Sequence, residues 1–428
     1  MFKLKENGSD VKTEVIGGLT TFLTMAYIII VSPMILSEAG MDKPALITAT
    51  CLAAAFGTLL VGLWANVPFA MAPGVGLLPF FTYTLVLGQG LSWQTALGVV
   101  FVSGVVFLIL TVVGIREKVV TAIPMSLRIA TAAGIGLFIT FIGLKNMGLI
   151  VANPATLVSI GPMSRPVLIG LLALFLIAIL ELRKVKGSIL IGIVAATVAG
   201  ALLGEVALPD AAVSVPPSLA PIAFKLDILG ALRWGMVGAI FSFMFVDLFD
   251  SIGTIVACSY EAGHVAPDGT IKKIDKVLEA DAVATIVGSL LGTSTTTTYI
   301  ESASGIADGA RTGLASVVTG ILFLVALFFA PLIGVVPGFA TAPALVIVGV
   351  FMFRNIKQIN FSDMKEAVPA FLTMILMPLT FSIATGLTVG FLSYIIIGVF
   401  SGDAKKISLV MWIVGLLSAI NLAITVVH

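Results

Sequence analysis

The run FSFMFVDLFDSIGTIVAC (241–258) is long and apolar enough to lie inside a bilayer, yet it carries two carboxylates, Asp247 and Asp250, one helical turn apart. On translocon scales an acid at the centre of a membrane helix is unfavourable by roughly 2.5 to 3.5 kcal/mol. Such residues face a polar cavity, where they handle protons or substrate. Asp247, Asp250, Ser251, Thr254 and Cys258 stand at i, i+3, i+4, i+7 and i+11, a spacing that keeps to one face of a helix. Phe243 closes this stripe at one end, and most of the remaining surface is Phe, Met, Leu, Ile and Val. A purely structural seam between helices would need only one Ser and one Asp. A third carboxylate, Glu301, follows the polar run TSTTTTYIES (293–302) in another stretch long enough to sit at membrane depth. A buried carboxyl resists ionisation and two neighbouring ones resist ionising together. Such a set can take up a proton on one side and release it on the other, and its oxygens can accept N–H donors from a planar heterocycle.

The rest of the chain fits that setting. Of 428 residues 59% are hydrophobic and 11% charged, against about 25% charged in soluble domains. Mean hydropathy is +1.17. This is the composition of an all-α polytopic membrane protein, whose partner is the lipid bilayer. A net charge of +1 gives no argument for nucleic acid. Two cysteines, Cys51 and Cys258, make neither a disulfide framework nor a metal set, and two histidines, His264 and His428, make zinc or histidine chemistry unexpected. The start MFKLKENGSD has no short apolar core of the cleaved-signal kind.

Apolar runs fall at 14–37, 45–66, 68–87, 94–114, 121–148, 166–181, 188–208, 231–259, 277–291, 294–308, 312–331, 337–353, 363–382 and 384–400, about fourteen spans in all. A further run at 407–426 is either an extra span or a helix at the membrane surface. With the N-terminus placed in the cytoplasm, that side collects most of the Lys and Arg, among them Arg116, Lys118, Arg183, Lys184, Lys186, Lys272, Lys273, Lys276 and Arg311. The opposite side holds Lys43, Lys145, Arg165, Lys225 and Arg233.

Two segments are too irregular for plain helices: VPFAMAPGVGLLPFF (67–81), broken by Pro and Gly, and TSTTTTYIESASG (293–305), whose threonines favour extended backbone. Non-helical backbone survives at membrane depth only where protein or water satisfies it. The halves also echo each other. GGLTTFLTMAYIIIVSPMILSEAG (17–40) resembles GAIFSFMFVDLFDSIGTIVACSYEAG (238–263), and GTLLVG (57–62) resembles GSLLG (288–292), each followed by a broken segment. Seven spans per half is an odd number, so the halves have opposite orientation, with a site expected at the interrupted segments. The stretch 209–230 links them. Glu279 and Asp281 read as charges complementing a helix end, and Asp308 with Arg311 as a surface pair. Tyr27 and Tyr299 are further candidates for substrate contact.

At GGLTTFLTMAYIIIVSP (17–33), SWQTAL (92–97), AGIGLFITFIGLKNMG (133–148), FVDLFDSIGT (245–254), LGTSTTTTYIESASGIADGARTGL (291–314) and ATAPAL (340–345) the chain resembles the nucleobase–cation symporter (xanthine/uracil permease) family, in its hypoxanthine/guanine/adenine branch. The resemblance implies fourteen segments in two inverted repeats of seven, with short extended stretches in segments 3 and 10. It implies a core domain at 14–114 and 231–331, a gate domain at 115–208 and 337–400, and a C-terminal apolar segment at 401–428. It also implies purine nucleobase import across the inner membrane by proton symport, with alternating access, no cofactor beyond the coupling H⁺, and a possible homodimer. Asp250 and Glu301 match the family's base-binding acids, Asp247 a second acid of this branch, and Tyr299 and Ile300 lie where backbone contacts to the base are expected. Thr254 lines the same stripe. Proton coupling falls to Asp247, Asp250 and Glu301. Purine members commonly read APGMGLNAFF in segment 3; here APGVGLLPFF (72–81) places Leu78 where the pattern has Asn. Xanthine, uracil or another small solute on the same scaffold is therefore the nearest rival. An intramembrane aspartyl enzyme is remote, since Asp247 and Asp250 share one helix and no GxGD motif is present.

Overall fold

The two irregular segments pair with each other. In the computed structural model, which describes residues 2–114, 123–207, 209, 211–265 and 271–427, Met71–Pro73 (β1) lies antiparallel to Thr296–Thr298, with Ala72 opposite Thr297. A hairpin of Ile150–Asn153 (β2) and Leu157–Ile160 (β3), not anticipated from sequence, makes a second two-stranded sheet, so Thr296–Thr298 is β4. The helices are α1 (Val11–Met25), α2 (Ile28–Ser37), α3 (Lys43–Trp64), α4 (Trp93–Val112), α5 (Met125–Met147), α6 (Arg165–Leu182), α7 (Ser188–Leu202) and α8 (Val237–Glu261). They continue as α9 (Ile274–Leu291), α10 (Ser302–Ala307), α11 (Gly313–Ala326), α12 (Gly338–Phe353), α13 (Met364–Thr380), α14 (Ile383–Phe400) and α15 (Leu409–Val427). A π-helix, Phe80–Gly88, completes segment 3. Nine candidate spans among the described residues are long and apolar enough to cross a membrane. Arg116 and Lys118, counted toward orientation, lie outside the described residues, as do the first positions of the 121–148 run.

Side-chain hydroxyls satisfy the non-helical backbone. Thr58 Oγ1 on α3 donates to the Met71 carbonyl and accepts from the Met71 N–H, both at 2.9 Å. Thr285 Oγ1 on α9 brackets Thr296 in the same way, at 3.1 Å to each group. Ser302 Oγ accepts the Ala70 N–H at 2.9 Å, and Ser316 Oγ lies within donating distance of the Val67 and Phe69 carbonyls. Each half thus uses a helix threonine to pin its strand. An antiparallel pair between corresponding strands is what two copies of opposite orientation produce.

Helices associate in two sets. α5 packs on α12 and α13, with α14 on α13, α6 on α12 and α7 on α6. α3 packs on α9 and α11, α4 on α9, and α1 on α11, while α8 lies against α4, α10 and β4. Small residues allow the closest crossings: a Cβ at Gly313 would stand 1.9 Å from the Gly62 carbonyl oxygen. Over 211–230 the link is tied down rather than loose, because Ser214 and Phe224 donate backbone N–H groups to Phe328 and Leu290 and the Pro217 carbonyl accepts from Thr48. α15 buries Met411, Val414 and Ser418 on one face and packs on α14 and α8. Outside the membrane-depth helices, hydrogen bonds from Lys365 and Lys406 hold the Asp403 carboxyl down to about 2 and fasten the α14–α15 turn to the start of α13.

Glu14, which sequence reading passed over, is fully buried on α1. Its carboxylate accepts backbone N–H groups from Arg311 (2.9 Å), Thr312 (3.1 Å) and Ala315 (3.2 Å), capping the N-terminus of α11 from another helix. Alanine at position 14 leaves those donors orphaned. Charge-assisted bonds of this kind are worth about 1.5 to 3 kcal/mol each and are not additive. Glu14→Ala is expected to lower the detergent-solubilised melting temperature markedly, and Glu14→Gln less so.

Candidate functional site

α8 runs past the end of β4, where the chain turns at Tyr299 and enters α10. Tyr27, at the break between α1 and α2, is 1% exposed, and its hydroxyl donates to Glu301 Oε1 at 2.8 Å. Tyr299 is buried; its hydroxyl donates to the Pro73 carbonyl at the end of β1, and its N–H to the Ala70 carbonyl at 2.9 Å. Asp250 is close enough to act on the charge of Glu301, and both acids on the two tyrosines. Both acids are partly open, as is Thr254, and Ile300 beside them is 45% exposed. A Cβ at Gly253 would meet nothing within 4 Å, so the space beside Asp250 is open. Asp250, Glu301, Tyr27, Tyr299, Ile300 and Thr254 therefore converge where the strands meet. Leu78 does not share this openness: it is fully buried among apolar side chains and offers no polar group.

The polar stripe of α8 divides in two. Residues i and i+3 differ by about 60° around a helix, enough for one stripe to face two neighbours. Asp250 and Thr254 look toward Glu301 and the open space. Asp247 (1% exposed) and Ser251 (fully buried) turn to α9. There Ser251 Oγ donates to Asp281 Oδ2 at 2.7 Å, and Thr285 Oγ1 to Asp247 Oδ2 at 3.2 Å. Asp281 also accepts from Thr298 Oγ1 of β4 at 3.2 Å. The helix-end reading of Asp281 is thus corrected. α9 begins at Ile274, so Asp281 lies two turns inside it and is fully buried. The signal was present in Asp281, Thr285 and Ser289, a polar stripe at i, i+4 and i+8. Glu279 stays peripheral, accepting from Trp64 Nε1 at 3.3 Å.

The expected Asp308–Arg311 pair is also corrected. Asp308 takes Lys186, from the α6–α7 turn, and the Thr20 hydroxyl (2.6 Å), while the Arg311 guanidinium donates to the Ile306 and Ala310 carbonyls. Backbone carbonyls at and just past the end of α10 hold the arginine, that of Ile306 in addition to the Gly309 N–H it already accepts. Elsewhere, the Tyr83 hydroxyl of the π-helix donates to Glu38 Oε1 at 2.8 Å, and Asn146 of α5 donates to the same oxygen at 3.2 Å. No group of three or more His, Cys, Asp or Glu side chains among the described residues is arranged to hold a metal ion.

Residues 12–389 match the profile of a permease family, Xan_ur_permease. The chain belongs to this family. The permease is 50% identical to a putative permease of Methanocaldococcus jannaschii over 98% of its own length and 97% of the relative's. It is 45% identical to the adenine permease AdeP of Escherichia coli, covering 100% of this chain and 96% of AdeP. It is also 45% identical to the guanine/hypoxanthine permease PbuG of Bacillus subtilis, covering 96% of each. Among solved structures, the transmembrane domain of the cyanobacterial bicarbonate transporter BicA shares the fold, with a TM-score of 0.67 at 16% identity over 89% of this chain and 97% of that one. The permease is therefore a multi-pass membrane transporter, and the aspartyl-enzyme reading is set aside by its family.

Proposed function

We propose that the permease imports purine nucleobases across the inner membrane by proton symport, with its N-terminus in the cytoplasm. The observation that carries this reading is the convergence of Asp250 and Glu301, both partly open, at the junction of β1 and β4. Carboxylate oxygens are acceptors, and a purine presents ring N–H and exocyclic amine donors in one plane. No lysine or arginine of the described residues forms an ion pair with either acid, which disfavours a bare anion as cargo. The names of the relatives, adenine and guanine/hypoxanthine permeases, point the same way. With Leu78 apolar, recognition beside segment 3 falls to backbone groups, and purine preference is set mainly by the two acids.

In this reading the α1–α4 and α8–α11 set is the core (14–114, 231–331), which moves against a gate of α5–α7 and α12–α14 (115–208, 337–400). The polar contacts that cross between the sets include Lys186 with Asp308, Asn146 with Glu38 beside Tyr83, the Thr84 hydroxyl with the Phe381 carbonyl, and the Thr341 hydroxyl with the Met34 sulfur. Each must break for its side to open. The test is radiolabelled hypoxanthine uptake in cells lacking their own purine permeases, with and without a protonophore, against excess cold guanine, adenine, xanthine or uracil. Uptake is expected to collapse with the protonophore and to be competed by purines. Absence of uptake of any base, or uptake competed by uracil alone, overturns the purine assignment and leaves the family standing.

A further inference from the structure

We propose that the coupling proton is carried by Asp247 and Asp281 as a pair, one layer behind the base-binding acids. This rests on the symport reading above and adds to it a residue, Asp281, and a division of labour between two acidic sites. The pair bridges α8 and α9, and both carboxyls are sealed from solvent, at 1% and 0% exposure. Asp281 and Asp250 both lie close enough to Asp247 to act on its charge.

Counting donors shows the deficit. Asp281 accepts from the hydroxyls of Ser251 and Thr298. Asp247 Oδ2 has the Thr285 hydroxyl, whose single proton also faces the Thr296 carbonyl, at 3.1 Å. Asp247 Oδ1 has no hydrogen-bond partner among the described residues. Two carboxylate charges in this position would share three hydroxyl donors and the Thr298 backbone N–H, with no ion pair to either among the described residues. The further charged group that bears on both members of the pair is Asp250 on α8, which is another acid. α4, packed on both helices, carries no charged residue over Trp93–Val112. A proton on the pair removes one charge and supplies a donor, and the bare Asp247 Oδ1 is where it has an open seat.

The same hydroxyls carry the protonation state to the base. Thr298 ties Asp281 to β4, and Thr285 ties Asp247 to the Thr296 backbone of that strand. β4 leads through Tyr299 into Glu301. Loss of the proton adds a charge that pulls on Thr298 and Thr285, and so shifts the strand that positions the base-binding acid. Gain of the proton relaxes it. This is a coupling free energy between two sites through one shared element.

The test uses the full permease in liposomes with a trapped pH dye and radiolabelled hypoxanthine. Two rates are compared: counterflow of base against base, which needs no net proton movement, and accumulation driven by an imposed pH gradient. In Asp281→Asn, counterflow is expected to persist, accumulation to fall to a ratio of about one, and base-dependent lumen acidification to disappear. Asp281→Glu, which retains an acid, is expected to recover acidification in part. Asp247→Asn is expected to behave as Asp281→Asn does and provides the result if that variant does not fold. Asp250→Asn is expected to lose counterflow as well. Full accumulation and acidification in both Asp281→Asn and Asp247→Asn would overturn the proposal. Equal loss of counterflow and accumulation in folded Asp281→Asn would also overturn it, by making the residue part of the base site. Parent protein that exchanges base without moving protons brings down the symport reading instead.

Discussion

Uptake of purine falls to the level of cells without the permease when either Asp250 or Glu301 is replaced by alanine, while the protein still reaches the membrane. Each carboxylate offers charge-assisted acceptors worth about 1.5 to 3 kcal/mol per bond when desolvated. Loss of one such bond weakens binding roughly tenfold to a hundredfold, and two bonds lost together take uptake below detection. Glu301→Ala has a second consequence: the buried Tyr27 hydroxyl loses the acceptor it has at 2.8 Å. Glu301 stands at the N-cap of α10 but its side chain makes no capping hydrogen bond, and neither acid forms an ion pair among the described residues, so the fold does not depend on them as it does on Glu14. The measurement is uptake beside a membrane immunoblot and gel-filtration profile. Full transport by either variant would remove these residues from the site.

Replacement of Gly313 by alanine is expected to remove most folded protein from the membrane. The added Cβ would lie 1.9 Å from the Gly62 carbonyl oxygen, with the Gly62 carbon and Cα next in line. These are backbone atoms of a neighbouring helix and cannot swing aside as a side chain does. α3 and α11 would have to separate, loosening Ser316 from the Val67 and Phe69 carbonyls and so the approach to β1. Overpacking of this kind is worth about 3 kcal/mol or more. Gly334→Ala, where an added Cβ meets nothing within 4 Å, is the matched control and should leave yield and melting temperature unchanged. Normal yield of Gly313→Ala would show that the crossing is not tight.

Much of the site is legible in the chain because local rules fix it. A carboxylate inside an apolar run has few tolerable environments, which singles out Asp247, Asp250 and Glu301. Proline, glycine and consecutive threonines deny a helix to 67–81 and 293–305. What the chain does not announce is long-range partnership. The segments read as extended, but nothing local states that Met71 faces Thr298. Asp281 was obscured by the lysines upstream, which suggested a helix end, whereas α9 starts early enough to bury it. Arg311 lies close to Asp308 in sequence, but the carbonyls of Ile306 and Ala310 hold it, and Asp308 turns to a lysine more than a hundred residues away.

The pairing of β1 with β4 has one more consequence. The scaffold is doubled, but the chemistry is not. Strand for strand the two halves build the same wall, yet all four acids at its centre, Asp247, Asp250, Asp281 and Glu301, belong to the second half, while the first contributes Tyr27 and an apolar strand, Met71–Pro73. Duplication thus freed one copy from ionisable duty. Changes that reshape the wall around 67–81 have room to accumulate in the first copy without touching the groups that hold charge. Changes in the charge of the site have to arise in the second. Selection on the shape of the wall and selection on its charge would therefore leave their marks in different halves of the same gene.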